Sequence, residues 1–168
     1  MPPFTALLHT KNDALRLGRT LEMLLPCSEI LIVDHHSSDA TLRIAREYGA
    51  RIVMVDSALT AGLYLEFARN HWTFCIQPGE SITETLQSTL FEWNTLAHED
   101  VAGRGYSVFV REQATDMNWH RLPEPETRLI QRSWNRWRGN LPVAKPSTTV
   151  LEGELLRFAQ PRDRPSGQ

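Results

Sequence analysis

The stretch EILIVDHHSSDATLRIAREYGARIVMVD, Glu29 to Asp56, decides the fold. Its first six residues form a continuous apolar run ending in an acid. Such a run suits a strand covered on both faces, as in a central parallel sheet. HHSSD then makes a polar turn. A helix is expected from about Ala40 to Tyr48, burying Leu42, Ala45 and Tyr48, with Gly49 as its stop. ARIVMVD, Ala50 to Asp56, reads as the next strand.

Working outward, FTALLHT (Phe4 to Thr10) is a further apolar strand. From Asn12 to Leu25 the leucines at 15, 17, 21, 24 and 25 keep a helical spacing, with Asn12 or Asp13 as cap and Pro26 as stop. Strand, helix, strand, helix, strand is the order of an α/β, doubly wound, mostly parallel sheet. Right-handed crossovers bring the strand ends Thr10, Asp34 and Asp56 to one edge, where such folds bind ligands. Downstream lie a short helix near Leu63 to Asn70 and a buried strand, Trp72 to Ile76. A helix capped by Ser81 follows, running through Ile82, Leu86, Leu90, Trp93 and Leu96. GYSVFVRE, ETRLIQRS and TTVLEGELLRFA read as later strands of a small antiparallel C-terminal part. Residues 1–160 are expected to form one domain, and 161–168, poor in apolar residues, a disordered tail.

Bulk properties narrow the function. The chain has 168 residues, 41% hydrophobic, with a net charge of −2. That balance excludes a strong electrostatic pull toward nucleic acid. Cys27 and Cys75 form no CxxC pair and sit in apolar surroundings, so buried reduced thiols are expected. No apolar run approaches the roughly 20 residues needed to span a bilayer. The N-terminus lacks the pattern of a signal peptide, so a cytoplasmic protein is expected.

Several residues could carry chemistry. Asp34, at a strand end, could accept hydrogen bonds from a ribose or base, or cap its own turn through nearby N–H groups. Asp39 suits the start of the following helix. Lys11 could face a diphosphate or simply be solvated. His35-His36 lacks the spacing of a metal pair. There is no GxGxxG, no P-loop and no nucleophile elbow. Trp134, Trp137, Arg132, Arg136 and Arg138 could bind sugar or phosphate, or could cover a small core. A flavodoxin-like receiver would want an acidic cluster after the first strand, and LLHTKND has only Asp13 close by.

HTKND after the first strand and the ungapped stretch EILIVDHHSSDATLRIAREYGARIV resemble family 2 glycosyltransferases. The branch is the bacterial one similar to lipopolysaccharide core sugar transferases. GYSVFVRE, RLIQR with RWRGN, and LEGELLRF follow its later order more loosely. The resemblance implies a GT-A fold with a Rossmann-like half that binds a nucleotide sugar, UDP-linked or similar, and a glycan or lipid acceptor. It places Thr10, Asn12 and Asp13 by the nucleotide and Asp34 on its uracil or ribose, and Asp39 matches the second acid of the turn motif. Lys11, from its position, joins them as a nucleotide-binding candidate.

The departures fall on catalytic positions. The resemblance implies a DxD-type acid pair for Mn or Mg after the fourth strand. Here the segment reads IQPGE: Gln77 and Gly79 replace the two acids, and Glu80 matches only the trailing Glu. Divalent cations that bridge a diphosphate want anionic oxygens, so no metal ligand is assigned and a divalent cofactor is weakly supported. Pro78-Gly79 suits a type II turn instead. LPVAKP has Ala144 and Lys145 where a V-H-E element would stand. Glu124, in LPEPE, is the leading general-base candidate, and Glu80 the second, as base or lone metal ligand. Two functions follow: a transferase without the usual metal, or an inactive relative that binds a nucleotide, a sugar or a protein partner.

Overall fold

The computed structural model describes residues 3–56, 61–95, 105–145 and 148–160. The first half alternates as its sequence requires: β1 (Phe4–Thr10), α1 (Ala14–Leu21), β2 (Glu29–Asp34), α2 (Thr41–Glu47) and β3 (Arg51–Met54). α3 (Ala61–Tyr64), a 3-10 turn at Leu65–Phe67 and β4 (Trp72–Cys75) follow. β2 lies parallel to β3 on one side and to β1 on the other, and β4 lies parallel to β1 beyond it. The order 3-2-1-4 is the doubly wound half. β1 is buried along nearly its whole length because it is covered twice. Phe4, Ala6 and Leu8 enter the core shared with α1 and α4, and Leu7 enters the core shared with Tyr64 and Leu65.

The second half is β5 (Glu80–Ile82), α4 (Glu84–Trp93), β6 (Tyr106–Gln113), β7 (Trp119–Arg121) and β8 (Glu126–Gln131). The hairpin β9 (Trp137–Arg138)–β10 (Leu141–Pro142) and the long β11 (Thr149–Arg157) complete it. Its main strands extend the same sheet. Among the described residues nine strands join, in the order 3-2-1-4-8-6-11-5, with β7 on β6. β8 is antiparallel to β4 and β6, so the C-terminal part is built onto the parallel half rather than beside it. Trp93 sits under this junction, edge-on to Trp72 at 5.0 Å and to Phe4 at 5.7 Å between ring centroids. No helix among the described residues is long and apolar enough to cross a membrane.

Local differences from the sequence reading have physical causes. α1 is shorter than the leucine pattern because the chain turns away after Leu21, leaving Leu25 exposed, while Leu15 lies on the exposed face of the helix. Tyr48 is exposed rather than buried. Ser81 does not cap α4. It lies in β5, paired with β11, and Thr83 caps instead by accepting the Leu86 N–H at 3.2 Å. The expected extension to Leu96 and the tail 161–168 lie outside the described residues. β11 crosses α4 at Gly153, where an added Cβ would stand 2.3 Å from the Leu86 nitrogen and φ is +98°. Only glycine allows that approach.

Candidate functional site

The carboxyl ends of β1 and β2 are tied together by short polar side chains. Thr10 and Asp34 face each other in the parallel register. The buried Asp34 carboxylate accepts from Thr10 Oγ1 at 2.6 Å, Ser37 Oγ at 2.6 Å and the Ser37 N–H at 2.8 Å. Burial alone would raise its pKa. The bonds from Ser37 and Thr10 outweigh that and hold the carboxyl below the usual range. Of the two sequence readings, the turn-holding one describes these contacts.

The next residues interlock with the start of α2. Asn12, at φ +53°, donates its N–H to Ser37 Oγ and accepts the Ser38 N–H on its side chain. The Asp13 N–H reaches Thr41 Oγ1, and the Ala14 N–H reaches Asp39 Oδ2. Asp39 also accepts the Thr41 N–H at 2.9 Å, as expected of an acid at a helix start. Asp13 accepts the Lys11 N–H and holds Arg16 at 2.5 Å. The Lys11 ammonium bonds the His36 carbonyl at 2.7 Å. All six sequence-singled residues from Thr10 to Asp39 therefore gather at one sheet edge. Beside them His9 Nδ1 and His35 Nε2 stand 3.0 Å apart, and Tyr64 meets the His9 ring edge-on. Burial, and secondarily His35, lowers the His9 pKa to about 4.

The end of β4 is organised differently. Gly79 has φ +88° and the Glu80 N–H closes onto the Gln77 carbonyl at 3.0 Å, the turn expected for Pro-Gly. Three elements grip this turn. Thr20 of α1 accepts the Gly79 N–H, Phe158 donates its N–H to the Gly79 carbonyl, and Glu80 accepts the Gln77 N–H. Glu80 is buried, and Arg128 of β8, itself fully buried, clamps both its oxygens at 2.8 Å. Arg157 of β11 adds bonds at 3.1 and 3.2 Å. Glu126 bonds both guanidiniums, and Arg128 also donates to the Cys75 carbonyl. Burial would lower the Arg128 pKa, but Glu80 and Glu126 raise it above its ordinary value. Every lone-pair direction of Glu80 that the turn leaves open is taken by a cation. Both oxygens of the Glu80 carboxylate, one of the expected base or metal-ligand candidates, are thus bonded to guanidiniums.

Two cavities open at this edge. One, about 310 Å³, is lined by Leu7, His9, Asp13, Arg16, Gln77 and Asn140 among others. The second, about 1020 Å³, runs from Arg16 and Arg19 past the turn to Glu112, Asp116 and Phe158. Arg16, Gln77, Pro78 and Gln160 line both. Glu124 is exposed between β7 and β8 and lines neither. Arg16, Glu112 and Asp116 went unremarked in the sequence. Nothing local marks them as site residues, and the pairing of β6 with β11 and the packing of α1 bring them to the turn.

Of the aromatic-basic cluster, Trp134, Trp137 and Arg132 are engaged within the fold, while Arg136 and Arg138 are exposed. Trp134 is buried, and Trp137 donates to its carbonyl at 3.2 Å. Arg132 bonds the Ala68 and Asn70 carbonyls. Cys75 is a buried free thiol whose pKa burial pushes up to about 12, and Cys27 is free and half-buried. Among the described residues no group of three His, Cys, Asp or Glu could hold a metal ion.

No protein-family model and no curated protein matches the chain. Solved structures do. Staphylococcus aureus TarS residues 1–349 shares 16% identity, with a TM-score of 0.53 over 73% of this chain and 38% of that one. The same protein is also solved in complex with UDP. Glucosyl-3-phosphoglycerate synthase from Mycobacterium tuberculosis, in complex with Mn2+, UDP and phosphoglyceric acid, shares 14% identity. Its TM-score is 0.50 over 68% of this chain and 45% of that one. This chain thus spans less than half of either neighbour, and what it shares with them is a glycosyltransferase fold.

Proposed function

We propose that residues 1–160 act as one domain that binds a nucleoside diphosphate sugar at the carboxyl ends of β1 and β4. The observation that supports this is the pair of adjoining cavities there, at the edge where parallel α/β sheets take ligands. UDP is the nucleotide to try first, because both neighbours are solved with it. Thr10, Lys11, Asn12, Asp13, Asp34 and Asp39 then form the rigid floor beside the nucleotide. Asp13 lines a cavity, while Asp34 and Asp39 hold the loops in place.

The residues after β4 do not fit a divalent cation. Gln77 is neutral, Gly79 has no side chain, and both Glu80 oxygens are bonded to guanidiniums.

Transfer of the sugar to a glycan or lipid acceptor is the second reading, favoured by one observation. Glu112 lines the larger cavity, half-exposed and 3.5 Å from Arg157. A carboxylate there can take a proton from an acceptor hydroxyl. Glu124 remains the acid of the sequence pattern, but its exposed position gives Glu112 precedence.

Calorimetric titration with UDP, GDP and their sugars, with and without Mn2+, tests the binding reading. UDP is expected to bind without added metal. Absence of binding by every nucleotide would sink the reading and favour a protein partner. For transfer, UDP release from a UDP-sugar with an acceptor should drop in Glu112→Gln while binding persists.

A further inference from the structure

Of the four residues that line both cavities, Arg16, Gln77, Pro78 and Gln160, Arg16 is the charged one. We propose that its guanidinium seats the diphosphate of a ligand spanning both cavities, taking the place a divalent cation would occupy in this fold. The inference rests on the nucleotide-sugar reading and names the group that would carry its charge.

Three observations support it. The first is position. An added Cβ on Gly79 would stand 3.3 Å from Arg16 Nη1 and 3.4 Å from its Cδ, so the side chain lies directly across the turn. An aspartate at 79 would have to displace it. Glycine at this point both closes the turn and makes room for the cation.

The second is availability. Arg16 is held by one Nη2 contact to Asp13 Oδ1, and its guanidinium makes no other hydrogen bond among the described residues. Of the other cations at this edge, Arg19 lies over the Phe158 ring and the rest are engaged in hydrogen bonds. The Lys11 ammonium is on the His36 carbonyl, Arg128 is fully buried against Glu80 and Glu126, and Arg157 bonds Glu80 and Glu126. Backbone donors, a common anion cradle at a helix start, are used up as well. The N–H groups of Lys11, Asn12, Asp13 and Ala14 all go to side chains of this protein.

The third is polarity across the larger cavity. Its α1 wall carries Arg16 and Arg19, with the Arg19 guanidinium 4.0 Å over the Phe158 ring. The end of β6 and the turn after it contribute Glu112, with Arg157 beside it at 3.5 Å, and Asp116. Guanidiniums favour phosphate oxygens in paired geometry, and carboxylates accept from hydroxyls. A ligand with phosphates at one end and a polyol at the other matches that arrangement. Asp13 offsets part of the Arg16 charge, which Arg19, one turn along α1, restores.

The test is calorimetry on the full chain in EDTA with UDP, UMP, uridine and inorganic pyrophosphate. Wild type should bind UDP more tightly than UMP, and pyrophosphate measurably. Arg16→Gln should weaken UDP and pyrophosphate by roughly 10- to 100-fold, the range for losing a hydrogen bond to a charged group. Uridine should be unaffected, Arg16→Lys should recover part of the loss, and added Mn2+ should change little. Unaltered UDP and pyrophosphate affinity in Arg16→Gln would overturn the proposal while leaving the nucleotide reading intact. UDP binding that requires Mn2+ would overturn it as well. Pyrophosphate binding that depends on Arg16, with no nucleotide bound, would uphold the anion site and sink the nucleotide reading.

Discussion

Two strand ends on the same edge of one sheet each bury a carboxylate, and they stabilise it by different means. At the end of β2, Asp34 is held by two hydroxyls and one backbone N–H, all within three residues or across one strand pair. At the end of β4, Glu80 is held by guanidiniums from β8 and β11, 48 and 77 residues away. The first arrangement is local and small, and it leaves the edge open for a ligand. The second is distant and fully charged, and it welds the C-terminal strands to the parallel half. A carboxylate committed to two cations has little to offer a third.

The largest expected effect comes from breaking the charged end. Arg128→Met leaves Glu80 buried against Arg157 alone and should cost about 3–5 kcal/mol in urea unfolding. Glu80→Gln combined with Arg128→Met should recover a substantial part of that. A double variant no better than the single one would show that the pair is not coupled. Asp34→Ala strips acceptors from three donors and should cost about 2–3 kcal/mol, less than Arg128→Met, because hydroxyls can turn to water. If it cost more, the contrast between the two ends would be inverted. Thr20→Val removes the acceptor of the Gly79 N–H and should cost about 1–3 kcal/mol, since that donor is buried. It should also loosen the turn, visible as faster amide exchange at Gly79.

The gentlest probe is pH. His9 is lowered to about 4 in the fold and takes its proton near 6.5 when unfolded. Its contribution is therefore complete above about pH 6.5 and lost as pH falls toward 4. Asp34, also lowered, contributes only to losses further down, as pH drops through the carboxylate range. Melting temperature should fall in two stages, and His9→Gln should flatten the upper one. A single acid transition unchanged by His9→Gln would remove the histidine from this account.

The parallel half was readable because its information is local. The apolar run of β2, the Gly49 stop and the Asp39 turn each depend on neighbours within a few residues, and strand spacing alone brings Thr10 and Asp34 together. The strand Trp72 to Ile76 and its Pro-Gly turn were equally plain. β5, β7 and the β9–β10 hairpin were not, since two- or three-residue strands carry no periodicity. Glu80 was seen as an isolated acid because its partners, Arg128 and Arg157, are single arginines among 16 with nothing local to mark them.

By itself the sequence determined the alternating order, the capacity of the Asp34 turn to close on itself, and a turn after Ile76 with neutral Gln77 and Gly79 on either side of Pro78. Those follow from residue type and short spacing. Only the tertiary structure decided that Glu80 is buried between Arg128 and Arg157, that Arg16 lies over Gly79, and that Glu112 rather than Glu124 lines the larger cavity. Long-range charge pairing depends on which strands become neighbours, and that depends on how the whole sheet assembles.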